Sequence, residues 1–178
     1  LLKAIGADIK YNLGPRLDKV NIVTEGITDY MYFTAMLDYL GVEEEQRPYI
    51  LPSVGAGNVN ALVSILIGWG CNYKVVLDYD KAGVIECNKL IDSLNLRLNH
   101  EVFFINCKPL EKEYIRNPEF VESLISEEDK NKLSVRYEVN KTMAAKEFYD
   151  KVIDKEIILS DETINNFRRL FVNLSIIE

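Results

Sequence analysis

The chain has 178 residues with 21 basic and 28 acidic side chains, a formal charge of −7. Hydrophobic residues at 48% and charged residues at 28% argue against disorder, and 9 glycines with 5 prolines rule out a collagen-like or linker-dominated chain. The length suits one domain with or without a small helical extension, and the acidic balance lacks the basic footprint of a passive nucleic-acid binder while leaving open an enzyme whose acidic pocket takes divalent cations.

Leu1 to Lys19 reads as a lead-in from an upstream portion, with a weak helical stripe at Leu2, Ile5 and Ile9 that Gly14-Pro15 ends. Val20 to Thr24 is a β-branched run leaving through Glu25-Gly26, the pattern of a buried strand and its exit turn. Over Thr28 to Leu40 the residues Met31, Tyr32, Ala35, Met36, Tyr39 and Leu40 recur at helical spacing, and Gly41 supplies the stop. Tyr49 to Pro52 predicts a second strand, Ser53 to Asn58 a turn, and Val59 to about Gly68 a helix. Lys74 to Asp78 is the clearest strand. Val84, Ile85, Leu90, Ile91 and Leu94 then mark the buried face of a helix, and Glu101 to Asn106 predicts a fourth strand. Strand–helix repeated three times with a closing strand predicts an α/β fold, a Rossmann-like, mostly parallel four-stranded sheet flanked by helices, with right-handed crossovers. Beyond Lys108, the segments Asn117 to Ile125, Glu127 to Leu133, Lys141 to Ile153 and Asp161 to Leu174 predict a more charged C-terminal helical extension packed on the sheet.

Cys71, Cys87 and Cys107 form no CxxC pair, and His100 stands alone, which argues against a disulfide scaffold or a thiolate–imidazole zinc site. The thiols read as half-buried small hydrophobes. Without a credible histidine base, chemistry must rest on carboxylates, lysines and a hard metal. The uncharged stretch Val59 to Cys71 is too short for a bilayer, which takes roughly 20 residues, and no signal-peptide pattern opens the chain. A soluble cytoplasmic protein without membrane contact is expected.

The acids fall at strand ends. Glu25 follows the first strand and Asp29 lies four residues on; Asp78 ends the third strand, with Asp80 two residues further and Gly83 beyond. Ligands of open α/β sheets gather outside the carboxyl ends of the strands, so if the first and third strands are neighbours these carboxylates share one crevice. Like charges there raise each other's pKa, and Mg²⁺, which prefers a few carboxylates with water and phosphate oxygens, relieves the penalty. Residues i and i+2 share a face while strand geometry persists, so Asp78 and Asp80 can approach one ion, and Gly26 and Gly83 are expected to remove bulk beside it. Plainer uses exist: either motif alone is a common solvated turn, and Asp29 can serve the helix N-terminus. Their order along the chain favours the metal site.

Val23-Thr24-Glu25-Gly26-Ile27-Thr28-Asp29 resembles the first motif of the Toprim domain, and Val75-Val76-Leu77-Asp78-Tyr79-Asp80-Lys81-Ala82-Gly83 resembles its second. Glu-Gly-Ile-Thr-Asp, the Gly55-Ala56-Gly57-Asn58 turn and the trailing helices are most similar to the OLD (overcoming lysogenization defect) family; the likeness is close from Lys19 to Cys107 and loose beyond. It implies a Toprim catalytic core over 20–110, a lead-in over 1–19 from an N-terminal ABC-type ATPase, and an extension over 111–178 completing the site. It further implies a DNA endonuclease, with a setting in antiphage defence and oligomerisation through the ATPase portion.

The implied mechanism is hydrolysis with two Mg²⁺ or Mn²⁺ ions about 4 Å apart. One ion, held by Glu25, Asp78 and either Glu111 or Glu113, would orient a water; the second, nearer Asp29 and Asp80, would stabilise the leaving 3′ oxygen. Glu122 competes with Glu111 and Glu113, because the sequence after the fourth strand departs from the family's usual Ile-Glu-Asp. Lys141, or Lys146 in second place, would offset charge on the phosphoryl oxygens, and no tyrosine is expected as nucleophile. No Walker A sequence is present, and Ser53 to Asn58 would instead wall the pocket. DNA phosphates would meet Lys81, Lys108, Lys112, Arg116, Lys141, Arg168 and Arg169. The alternatives are a receiver-like Mg²⁺-binding signalling domain, weakened by the four-residue gap from Glu25 to Asp29 and by Asn106-Cys107 after the fourth strand, and an inactive Toprim interaction module, against which the intact acids stand.

Overall fold

Four short apolar runs, β1 (Asn21–Thr24), β2 (Tyr49–Pro52), β3 (Tyr73–Leu77) and β4 (Val102–Phe104), make one all-parallel sheet in the order β2-β1-β3-β4. The computed structural model describes residues 14–53 and 55–178, with the backbone alone for Lys112 and Glu113. Most of the predicted lead-in therefore lies outside the described residues. Adjacent residues of each strand are apolar, as in Ile22-Val23 and Val75-Val76-Leu77, because both sheet faces are covered. Val23, Val75, Leu77 and Phe104 face α2 (Val59–Gly68) and α3 (Lys81–Leu94). Ile22, Val76, Phe103 and Ile105 face α1 (Ile27–Tyr39), α5 (Lys141–Ile153) and α6 (Asp161–Asn173). The alternation follows from the two-residue period of a strand.

The C-terminal helices share this core. Tyr32 of α1 meets Phe148 of α5 with ring centroids 5.1 Å apart, and Phe33 meets Phe171 of α6 at 5.6 Å. Asn140 and Ser160 cap the two helices by accepting the N–H groups of Met143 and Thr163. The helices predicted after Asn117 and Glu127 are corrected. Glu119 instead pairs antiparallel with Tyr79 through backbone bonds of 2.8 and 3.1 Å, leaving only a 3-10 turn over Val121–Leu124. The next helix shrinks to the single turn α4 (Glu127–Lys130), whose Asp129 carboxylate accepts hydrogen bonds from Ser160 and Thr163 of the α6 cap.

Cys71 and Cys87 are buried free thiols and Cys107 is half-buried. Among the described residues no helix is long and apolar enough to cross a membrane. The strand order matters most for chemistry. From β1 the chain crosses by α1 to β2, and from the adjacent β3 it crosses by α3 to β4 on the other side. The connections diverge, and the ends of β1 and β3 flank the crevice where such sheets bind ligands.

Candidate metal centre

Glu25 leaves β1 and Asp78 leaves β3 at this crevice. Glu25 Oε1 accepts the backbone N–H of Asp78 at 2.9 Å, tying the two strand ends together. Gly83, in the first turn of α3, makes the approach possible: a Cβ there would lie 2.1 Å from the Asp78 carbonyl oxygen and 3.1 Å from Glu25 Oε1. Gly26 has no such role. Its φ of −155° is extended, and an added Cβ would meet only Thr28 Oγ1 at 3.9 Å, so the expected relief of crowding holds for Gly83 alone. The turn after β2 closes on the same place, with the Gly55 N–H and Ser53 hydroxyl donating to the Glu25 carbonyl at 2.9 and 3.1 Å. Gly55 has φ +93°, a conformation in which a side chain would be strained.

Asp29 is buried and its Oδ2 accepts the Gly26 N–H at 2.9 Å; Asp80 caps α3 through Oδ1, which accepts the Gly83 N–H at 2.8 Å. Each thus serves a helix N-terminus, and the Glu25 backbone also favours the charged form of Asp29. Between Asp78 and Asp80, the buried Tyr79 donates its hydroxyl to the Pro109 carbonyl at 3.0 Å and accepts the Glu111 N–H at 3.1 Å. Its pairing with Glu119 keeps the backbone extended, which directs the two flanking acids to the same side.

A fifth carboxylate joins them. Glu122, in the 3-10 turn, is 8% exposed, and its Oε1 has no hydrogen-bond partner. Burial and then the neighbouring Glu122 carboxylate push the Tyr137 hydroxyl well above its ordinary range, which sets the two groups side by side. Lys141, at the start of α5, places Nζ 3.9 Å from Glu122 Oε1 and lies over the rings of Phe120 and Tyr137, 4.6 and 4.9 Å from their centroids. Lys146 pairs instead with Asp150 on its own helix, so of the two predicted lysines only Lys141 reaches the acids.

Burial, then the charges of Asp29, Asp80 and Glu86, push Glu25 up to about 7, against the pull of the Asp78 N–H. Burial holds Asp29 well above the usual carboxylate range despite the Gly26 N–H, with Glu122 adding to the rise and Lys141 opposing it. Asp78 is likewise raised by burial and then by Asp29, Glu25, Glu122 and Asp80. A raised carboxyl stabilises the fold below its unfolded pKa, about 4, and that contribution is lost as pH rises through the folded value. Glu147 has the opposite sign. The N–H groups of Ser134 and Val135 and the Lys151 ammonium overcome burial and hold it at about 2, so its contribution is lost only in acid. Thermal unfolding in EDTA is therefore expected to show highest stability near pH 5, falling by pH 8. A melting temperature that climbs steadily to pH 8 would contradict the crowded-acid account.

Of the predicted ligands Glu111 and Glu113, only the first has a described side chain. Glu111 is exposed, joined to the site only through its backbone bond to Tyr79, and the Glu113 side chain lies outside the described residues. Glu122 arrives because the Tyr79–Glu119 pairing turns the chain back toward the strand ends three residues before it. Tyr137 carried no sequence signal, being in irregular chain. Nor did Glu86 stand out; it is buried in α3, where its Oε1 accepts the Asn60 N–H at 2.9 Å and supports the start of α2.

In these rotamers, no three His, Cys, Asp or Glu side chains among the described residues form a ready-made ligand set. The donor chemistry nevertheless fits a hard cation. The rim gathers carboxylate oxygens whose proton affinity is raised by burial and then by one another, and a buried Glu122 oxygen lacks a hydrogen-bond partner. Fold and rim together define a parallel α/β domain with an acidic candidate cation site at its switch point. Comparison with protein-family models, curated proteins and solved structures finds no match to the chain.

Proposed function

We propose that this chain is a divalent-cation-dependent nuclease domain of the Toprim class that hydrolyses DNA phosphodiester bonds, of the OLD type and working with an ABC-type ATPase portion. The observation that carries the proposal is the Glu25–Asp78 hydrogen bond, which unites the acids of both motifs at the switch point. Glu25, Asp78 and Glu122, with Asp29 and Asp80 beside them, would hold Mg²⁺ or Mn²⁺. Mg²⁺ ordinarily takes only one or two carboxylates and keeps its waters, so five carboxylates favour two ions. When bound, such ions lower the pKa of a water and neutralise phosphoryl charge.

The protein's own groups supply the rest. The Glu25–Asp78 bond and the caps at Asp29 and Asp80 hold four carboxylates on rigid strand ends and helix starts. The Lys141 side chain is 58% exposed, so its ammonium is accessible to a phosphoryl oxygen and can offset the charge that grows there. Lys108 is committed to Glu119 at 2.6 Å, which leaves Lys81 and Lys141 as the better local contacts for a DNA backbone. With −7 overall, DNA affinity should fall steeply with salt.

The test is calorimetric titration of the purified chain with Mn²⁺, alongside incubation with plasmid DNA. Binding and Mn²⁺-dependent nicking are expected, and Glu25→Gln should weaken Mn²⁺ binding by about tenfold or more. Absence of both binding and cleavage would overturn the proposal.

A further inference from the structure

We propose that Tyr137 is a positioning residue of this site: its hydroxyl holds Glu122 and its ring holds Lys141, so that one side chain orients both the fifth carboxylate and the cation at the rim. The inference rests on the cation-dependent reading above and extends it to a residue that neither motif contains. Two chain segments meet here. Phe120 and Glu122 come from the 3-10 turn and the residue before it, whereas Tyr137 and Lys141 come from the approach to α5 and its first turn.

Lys141 lies 4.6 Å from the Phe120 centroid, 4.9 Å from the Tyr137 centroid and 3.9 Å from Glu122 Oε1. Aromatic faces attract an ammonium without consuming its charge, so the side chain is steered while remaining available to a phosphate. A lysine at a helix N-terminus is otherwise disfavoured by the macrodipole, and the two rings and the carboxylate offset that. On the other side, the Tyr137 hydroxyl neighbours the Glu122 carboxylate, whose Oε1 is buried without a hydrogen-bond partner and has the Lys141 ammonium 3.9 Å away, so a bond from this hydroxyl would fix the carboxylate in that orientation. Groups that hydrogen-bond metal-ligating carboxylates in this way commonly change metal affinity by 10- to 100-fold.

The full chain is titrated with Mn²⁺ as wild type, Tyr137→Phe, Glu122→Gln and the double variant. Tyr137→Phe keeps the ring and removes the hydroxyl. It should bind Mn²⁺ about tenfold more weakly, and should add nothing once Glu122 is already Gln. Tyr137→Leu removes the ring as well. Its kcat on DNA at saturating Mn²⁺ should fall, with Tyr137→Phe restoring it toward wild type because Lys141 regains its aromatic face. Wild-type Mn²⁺ affinity in Tyr137→Phe, or losses that simply add to those of Glu122→Gln, would overturn the positioning role while leaving the cation site intact. A wild-type chain that bound no Mn²⁺ would instead remove the reading on which it rests.

Discussion

Asp78→Asn is expected to abolish DNA hydrolysis and, in the same protein, to raise the stability of the metal-free fold at pH 8. The amide nearly matches the carboxylate in shape, and the Asp78 backbone N–H that binds Glu25 is retained. What disappears is a carboxyl whose proton affinity is raised first by burial and then by Asp29, Glu25, Glu122 and Asp80. Each tenfold change in proton affinity corresponds to about 1.4 kcal/mol, so removing this buried and crowded acid should stabilise the fold by about 1–3 kcal/mol. The gain should shrink at pH 5, which lies close to the unfolded carboxyl's value so that taking up the proton on folding costs little, and thermal unfolding in EDTA at both values isolates the electrostatic part. Cleavage should fall by about a hundredfold or more, the scale seen when a group aimed at transition-state charge is lost. Undiminished cleavage would place the chemistry elsewhere; a less stable variant at pH 8 would show that crowding does not govern this rim.

Gly83→Ala should destabilise the fold by about 3 kcal/mol, against the usual preference for alanine inside a helix. The new Cβ would sit 2.1 Å from the Asp78 carbonyl oxygen, a backbone atom that can yield only if α3 and β3 separate. That movement would also draw the Asp80 cap away from Glu25, so Mn²⁺ affinity should fall together with stability. Gly26→Ala is the matched control: its backbone is extended and the nearest contact is 3.9 Å away, so a cost of about 1 kcal/mol or less is expected. Urea unfolding measures both. Equal stability of Gly83→Ala and the parent would refute the close approach of helix to strand.

Much of the fold was readable because its signals are local. β1 and β3 announce themselves through adjacent apolar residues, Ile22-Val23 and Val75-Val76-Leu77, since a parallel sheet covered on both faces needs no polar alternation. The α5 and α6 boundaries follow from their caps and apolar spacing. The segment 117–125 misled because its helical composition competes with a backbone partner, Tyr79, about forty residues away, and the pairing at Glu119 prevails. The two glycines carried the same signal in sequence, yet only Gly83 lies against another backbone. Glu111 looked closer to the fourth strand than Glu122, but its side chain is exposed, and the Tyr79–Glu119 pairing returns the chain to the strand ends at Glu122.

The amino-acid sequence by itself determined the strand–helix alternation, the acids at strand ends and the scarcity of any other catalytic chemistry, because residue type and short-range period are properties of neighbouring positions. Only the tertiary structure placed β1 beside β3, joined Glu25 to a backbone group 53 residues away, and brought Glu122, Tyr137 and Lys141 to the rim. Strand order and the path of irregular chain are set by packing between distant segments. No local pattern records which of several acids that packing will gather.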